Sequence, residues 1–235
     1  MKIREPQIHP TAQLGPDVEI GDWSVIHANV IIQGKVKIGR EAWINPYAEI
    51  GGGRRELGSL QTGDFLHMGK YSFINIADRV TLGHEVGLGM WTALYTHGGY
   101  LDEARGFPNQ RGPITIGNEV WLPKAIVLPN VTIGNHVVIA AESLVNKDIP
   151  SGCLAGGIPT HIIEREKYPI RTILDWNGAL VDDRFLGIGD TEFDLLAKRI
   201  EGPVTEETER FKDSLRRRGI RFRYYDKGGI YAPWD

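Results

Sequence analysis

From Ile8, steps of six residues land on Leu14, Ile20, Ile26, Ile32, Ile38, Ile44 and Ile50, an aliphatic side chain every time. Four residues after each of the first seven stands a small or β-branched residue: Ala12, Val18, Ser24, Val30, Val36, Ala42 and Ala48. A helix repeats at 3.6 residues and an ordinary strand at 2, so a lone stripe of either kind does not account for this spacing. A short strand followed by a tight corner does. Three such units close one triangular coil with the large aliphatic residue inside, and stacked coils bury a continuous apolar column. Glycine follows the aliphatic residue at Leu14-Gly15, Ile20-Gly21, Ile38-Gly39 and Ile50-Gly51, where it is expected to relieve corners that need a positive φ.

The period resumes at Met68 and Ile74, takes an eight-residue step to Leu82, and continues through Leu88 and Leu94. It reappears at Ile116 and Leu122, then at Ile133, Ile139 and Val145. The step from 122 to 133 is one residue short, which predicts one tightened corner. Two stretches break the period, residues 51–67 and 97–113. Long irregular loops are uncommon in compact domains unless they are functional or disordered, and insertions in solenoids gather on the binding face. The expected organisation is therefore an all-β solenoid over residues 1–163 with two loop insertions, followed by a mixed helix and strand extension over 164–235. In the extension "TEFDLLAKRI" and "TEETERFKDSLRRRG" read as helices, the second capped by Thr205, and "IRFRYYD" alternates like a strand. It reads as a lid on the open solenoid end, with a substrate-selecting module carrying Arg216, Arg217 and Arg218 as the rival.

Composition narrows the partners. A net charge of −3 favours neither nucleic acid nor an anionic membrane. One cysteine, Cys153, excludes an internal disulfide and fits a reducing compartment. The start "MKIREPQIHP" lacks the apolar core of a signal peptide, and no apolar run approaches a membrane span. The expected location is the cytoplasm.

The stretch "GPITIGNEVWLPKAIVLPNVTIGNHVVIAAESLVNKDIPSGCLAGGIP", residues 112–159, resembles the closing signature of the hexapeptide-repeat acyltransferases, in their sugar and xenobiotic acetyltransferase branch. The resemblance implies a left-handed parallel β-helix, a homotrimer with active sites between subunits, and acetyl-CoA as acyl donor without a metal. It also implies that His97, in "THGG…RGPITIG", is the catalytic base. Acyl transfer from a thioester needs a group that takes a proton from the attacking hydroxyl or amine, and imidazole suits that task near neutral pH. Glu85, Asp102 and Glu103 are candidates to orient the ring, and an N–H of Gly98 or Gly99 to bind the oxyanion. Positions matching the family's donor contacts are Trp121, Ala141, Ser143 and Lys147, then Gly157 and Thr160 in the stretch Gly156–Thr160. The chain departs from the family at "WLPKA", "AAES" and "AGGIPTH". Arg54, Arg55, Asp102, Arg105 and Arg111 in the two insertions are candidate acceptor contacts, the arginines through phosphates of a nucleotide- or lipid-linked sugar. Two other classes stay open. One is a non-catalytic scaffold or regulatory subunit. The other is a zinc enzyme similar to the γ-type carbonic anhydrases, for which His67, His84 and His97 would have to converge.

Overall fold

A computed structural model of the chain describes residues 5–52, 58–99, 101–165, 185–188, 191–194, 199–201, 205–208, 210–211 and 223–224. The chain divides into two compact units, Met1–Ile170 and Arg171–Asp235.

The first unit is a left-handed parallel β-helix of about seven turns. Successive turns lay short strands on three faces. Face 1 stacks Gln7–Ile8, Val25–Ile26, Trp43–Ile44, His67–Met68, Gly87–Leu88, Val120–Leu122, Val137–Ile139 and Leu154–Gly156. Face 2 stacks Gln13–Leu14, Ile31–Ile32, Glu49–Gly51, Phe73–Asn75, Ala93–Leu94, Ala125–Val127 and Ser143–Val145. Face 3 stacks Val18–Ile20, Lys35–Ile38, Ser59–Thr62, Arg79–Leu82, Ile114–Ile116 and Val131–Ile133. The period-six residues point inward as the pattern requires. Ile44, Ile50, Met68, Ile74, Leu88, Leu94 and Leu122 are completely buried, each contributing roughly 1.5–3 kcal/mol of apolar burial. The first coil is the exception: Ile8 is 44% exposed, because it lies at the free edge of face 1, paired only with the second coil. At the other edge His161–Glu164 runs antiparallel to Leu154–Gly156 and covers it.

The corners overturn one expectation. Positive φ is present there, but mostly on residues other than glycine: Trp23, Glu41, Phe65, Glu85, Glu119 and His136 at the corner from face 3 to face 1, and Asn29, Tyr47, Tyr71, Trp91 and Glu142 at the corner from face 1 to face 2. The glycines after the aliphatic residues serve a different need. Gly21, Gly39, Gly63, Gly83, Gly117 and Gly134 form a column in which a Cβ would strike the coil above, 2.6 Å from the Gly39 carbonyl carbon at Gly21 and 2.8 Å from the Gly83 carbonyl carbon at Gly63. Close stacking, rather than backbone dihedral, dictates them. The residues that follow form a ladder of side-chain acceptors for backbone N–H groups. Asp64 Oδ1 accepts from Arg40 N at 2.8 Å, His84 Nδ1 from Asp64 N at 2.9 Å, Asn118 Oδ1 from His84 N at 2.7 Å, and Asn135 Oδ1 from Asn118 N at 2.7 Å.

The short step falls at Pro123–Lys124, where face 1 passes to face 2 in two residues. The first break is smaller than the sequence suggests. Ser59–Thr62 is a regular strand, paired with Lys35–Lys37 below and Arg79–Leu82 above. Thr62 fills the inward position that elsewhere carries an aliphatic residue, and it hides the period. The interruption thus narrows to residues 53–57, which lie outside the described residues. In the second unit the helix expected for "TEFDLLAKRI" is replaced by strands: Thr191–Asp194 pairs antiparallel with Phe185–Ile188 and with Arg199–Glu201. The Gly189-Asp190 pair between the first two strands is a hairpin signal that outweighs the helical spacing. Residues 206–208 and 210–211 are helical, and Thr205 Oγ1 accepts from Thr208 N at 3.2 Å as the expected cap. Arg223–Tyr224 is a strand of the same sheet. Arg216, Arg217 and Arg218 lie outside the described residues.

Candidate active site

Both interruptions of the period fall between strands of face 2 and face 3. The first follows Glu49–Gly51, and the second follows Ala93–Leu94 two coils later. The second is anchored more firmly than its sequence implies. His97–Gly98 pairs antiparallel with Gln110–Arg111, and Gly112 N donates to Thr96 O at 3.0 Å. The insertion is therefore a hairpin at its root, and His97 stands on that root opposite Arg111.

The half-buried His97 ring places Nδ1 2.9 Å from Asn75 Oδ1. Which way the Asn75 amide faces is settled by its other neighbours. The same oxygen lies 3.1 Å from the N–H of Ala77, which only donates, and 2.8 Å from the Thr96 hydroxyl. The Asn75 amide nitrogen points the other way, toward Gly52 O at 3.5 Å. An amide oxygen only accepts, so His97 Nδ1 carries the proton and the Nε2 lone pair of the neutral ring is left for chemistry. This is the arrangement that a general base requires: one nitrogen fixed, the other basic. The oxygen itself is held by fold elements. Ala77 is one of the residues in the eight-residue step after Ile74, and Thr96 is fully buried with its hydroxyl accepting from Asp78 N at 3.0 Å.

The orienting carboxylate expected from sequence is replaced by an amide. Glu85 sits at the corner from face 3 to face 1, a different edge of the triangle, where its N–H donates to Asp64 O. Asp102 caps the short 3-10 turn Glu103–Arg105, accepting from Ala104 N at 2.9 Å, and both Asp102 and Glu103 are exposed. Asn75 was missed because it reads as one more polar residue after an aliphatic one. Its signal was the eight-residue step that starts beside it.

Arg105 and Arg111 are exposed on the hairpin. Arg54 and Arg55 lie outside the described residues. His67 is on the outer side of face 1, His84 in the ladder at the corner from face 3 to face 1, and His97 at the corner from face 2 to face 3, so the fold of one chain does not bring the three together. Among the described residues no group of three potential ligands stands together.

The proposed donor positions fall into two sets. Trp121 is 40% exposed on face 1, and its ring lies over Gly87, where an added Cβ would strike it. Ala141 and Lys147 are also exposed. Ser143, Gly157 and Thr160 instead bolt the turn Gly157–Thr160 onto face 2. Ser143 Oγ donates to Ala140 O at 2.6 Å and accepts from Gly157 N at 3.0 Å, while Thr160 Oγ1 donates to Gly157 O at 3.2 Å. Lys124 and Glu142 form an ion pair beside this region, which answers the two departures at "WLPKA" and "AAES": each charge neutralises the other.

No protein-family model matches the chain. Over 61 residues it is 48% identical to galactoside O-acetyltransferase of Escherichia coli, covering 24% of this chain and 30% of that protein. Over 55 residues it is 38% identical to chloramphenicol acetyltransferase of Agrobacterium fabrum, covering 23% of this chain and 26% of that protein. Over these stretches the chain is similar to named acetyltransferases. Among solved structures, AntD, an N-acyltransferase from Bacillus cereus in complex with dTDP and 3-hydroxybutyryl-CoA, shares the fold with a TM-score of 0.50 and 15% identity, over 68% of this chain and 80% of that one. The chain spans 30% to 53% of the length of the first curated relatives it matches.

Proposed function

We propose that the chain transfers an acetyl group from acetyl-CoA to a hydroxyl or amine of a sugar, with His97 as general base. The observation that carries this reading is the Asn75–His97 pair, which fixes the imidazole tautomer so that Nε2 receives the acceptor's proton. The attacking oxygen or nitrogen bonds to the thioester carbonyl as its proton passes to Nε2. Collapse of the tetrahedral intermediate expels the CoA thiolate, which takes that proton back. Both half-steps are direct, and no covalent enzyme intermediate is required. The relatives named acetyltransferases support the donor, and a galactoside is the acceptor class suggested by the 61-residue stretch that is 48% identical to galactoside O-acetyltransferase. Trp121, Ala141 and Lys147 are the donor-side positions with exposed surface, and the Gly157–Thr160 turn supplies backbone beside them. A homotrimer with sites between subunits, a cytoplasmic location, and an acceptor linked to a nucleotide or lipid in surface polysaccharide assembly complete the reading.

Thiol release from acetyl-CoA, measured with a panel of sugar acceptors, tests it. His97→Ala is expected to lower turnover by about 10²–10⁴-fold, the usual worth of a positioned proton acceptor. Unchanged turnover in the mutant, or no CoA binding by the wild type, defeats the reading.

A further inference from the structure

From the third coil onward, strand register aligns the outward side chains of face 1 into one row: Trp43, His67, Gly87, Trp121, Val138 and Leu154. The matching row on face 3 reads Glu19, Lys37, Gln61, Thr81, Thr115 and Thr132. Face 3 turns polar groups to water, as a solvated face should. The row on face 1 carries no carboxylate, lysine or arginine, and Gly87 interrupts it with a position that has no side chain.

The gap at Gly87 is filled from the coil above. A Cβ there would strike Cε3 and Cζ3 of Trp121, the latter at 2.7 Å, and the next nearest atom, Cδ2 of the same indole, is 3.6 Å away. The indole therefore occupies the space of the missing side chain, while Trp121 keeps 40% of its surface exposed. Below the gap stands His67, its ring centroid 6.4 Å from that of Trp121 with the planes tilted by 40°. His67 is itself fixed. Asn45 Nδ2 donates to His67 Nε2 at 3.0 Å and to Met68 O at 2.9 Å, while Asn45 Oδ1 accepts from Trp43 Nε1 at 3.3 Å. The indole N–H only donates and the carbonyl only accepts, so the direction of the Asn45 amide is settled. Trp121 thus has a floor at Gly87 and a stop at His67.

We propose, resting on the acetyl-transfer reading above, that Gly87 and His67 are positioning residues for the acyl donor: they hold the Trp121 indole where it meets the uncharged arm of acetyl-CoA. A side chain that must be ordered when a ligand arrives costs affinity. An indole seated over a glycine has already lost that freedom on folding. The row's lack of charge suits the methylenes, amides and thioester of the donor and offers nothing to its phosphates. An aromatic ring over a strand glycine also stabilises a sheet, so donor binding and stability have to be read separately.

The test uses the full chain as wild type, Gly87→Ala, His67→Ala, Trp121→Ala and the Gly87→Ala/Trp121→Ala double variant. CoA binding is read by equilibrium dialysis, acetyl-CoA KM and kcat by thiol release with a panel of sugar acceptors, and Tm by calorimetry. Gly87→Ala is expected to weaken CoA binding and raise the acetyl-CoA KM by about five- to tenfold, close to the effect of Trp121→Ala. Its kcat is expected to stay within about threefold of wild type, the mark of lost binding rather than lost chemistry. His67→Ala, which adds no bulk, is expected to raise the same KM by about two- to threefold. The double variant decides whether Gly87 acts through the indole. With that ring gone the new methyl meets no atom nearer than 3.6 Å, so the double variant is expected to match Trp121→Ala in CoA affinity within about twofold. Losses that add in the double variant overturn the proposal. So does a Gly87→Ala protein that melts lower yet binds CoA as the wild type does, because the indole then serves the sheet alone. If CoA binding depends on Gly87 but no acceptor is acetylated, the positioning role stands and the transferase reading falls. If transfer proceeds with one acetyl-CoA KM in wild type and Gly87→Ala, the transferase stands and the positioning role falls.

Discussion

Two edges of the same triangular coil have opposite characters. The corner from face 3 to face 1 repeats almost without change: a glycine packed against the coil above, then a side chain that accepts the preceding coil's N–H, as in Asp64, His84, Asn118 and Asn135. The corner from face 2 to face 3 changes at every coil. It holds the positive-φ glycines Gly34 and Gly52, both interruptions of the period, and the Asn75–His97 pair. Regularity serves burial, because every backbone group of a repeated corner finds the same partner one coil away. Irregularity serves chemistry, because only a broken corner leaves room for a ligand and aims a side chain outward. The solenoid thus keeps its stability and its proposed activity on separate edges.

The largest expected effect comes from putting a methyl group on each edge. Gly63→Ala places a Cβ 2.8 Å from backbone atoms of Gly83 and His84, and backbone cannot give way as a flexible side chain does. The expected loss is on the order of 3 kcal/mol, or a fall in Tm of roughly 6–12 °C. Gly98→Ala, on the irregular edge, meets nothing within 4 Å and is expected to leave Tm within about 1 °C. Differential scanning calorimetry of the two variants decides the point. Equal melting temperatures would abolish the distinction between the edges.

The same distinction explains what was legible in the sequence. The regular edge and the inward column are written in the period-six residues, because each coil meets the same neighbours and solves the same packing problem. The exceptions are local. Thr62 in an aliphatic position hid a strand and exaggerated the first insertion. The glycines were visible, but the reason for them was not, since crowding between residues some twenty positions apart leaves no mark in a short window. His97 stands out through resemblance, whereas the same reading looks for an orienting group among the carboxylates Glu85, Asp102 and Glu103. Asn75 lies 22 positions earlier, one coil below, and only stacking brings the two together. The Thr191–Asp194 strand was read as a helix because a periodic run outweighed a two-residue turn signal.

Asn75 offers the next test, smaller than the glycine effect and confined to the irregular edge. Replacing it with alanine leaves His97 Nδ1 without its acceptor and frees the ring to rotate or change tautomer. The expected loss is about 10- to 100-fold in kcat/KM, in the range seen when groups that orient an imidazole are removed. Asn75→Asp is the more discriminating variant. An anionic oxygen beside Nδ1 stabilises the protonated ring, so a higher pH is needed to free Nε2. The acidic limb of the kcat/KM profile is therefore expected to move to higher pH relative to wild type, with activity retained on the alkaline side. A profile that does not move would mean that Asn75 holds the backbone and not the base.

The smallest expected effect concerns Ser143, which resemblance assigns to the donor and the fold assigns to itself. Its hydroxyl is buried and engaged on both sides, donating to Ala140 O and accepting from Gly157 N. With both of its roles met inside the chain, it has little left to offer a ligand. Ser143→Ala leaves the Gly157 N–H without its acceptor, a loss of about 1 kcal/mol, or a fall in Tm of roughly 2–4 °C. CoA affinity, measured by equilibrium dialysis, is expected to stay within about twofold, because the exposed donor-side surface of Trp121, Ala141 and Lys147 is untouched. A tenfold loss of CoA affinity at unchanged Tm would move the hydroxyl to the donor. It would also show that the last coils, unlike the first five, mix structural and chemical duties on one edge.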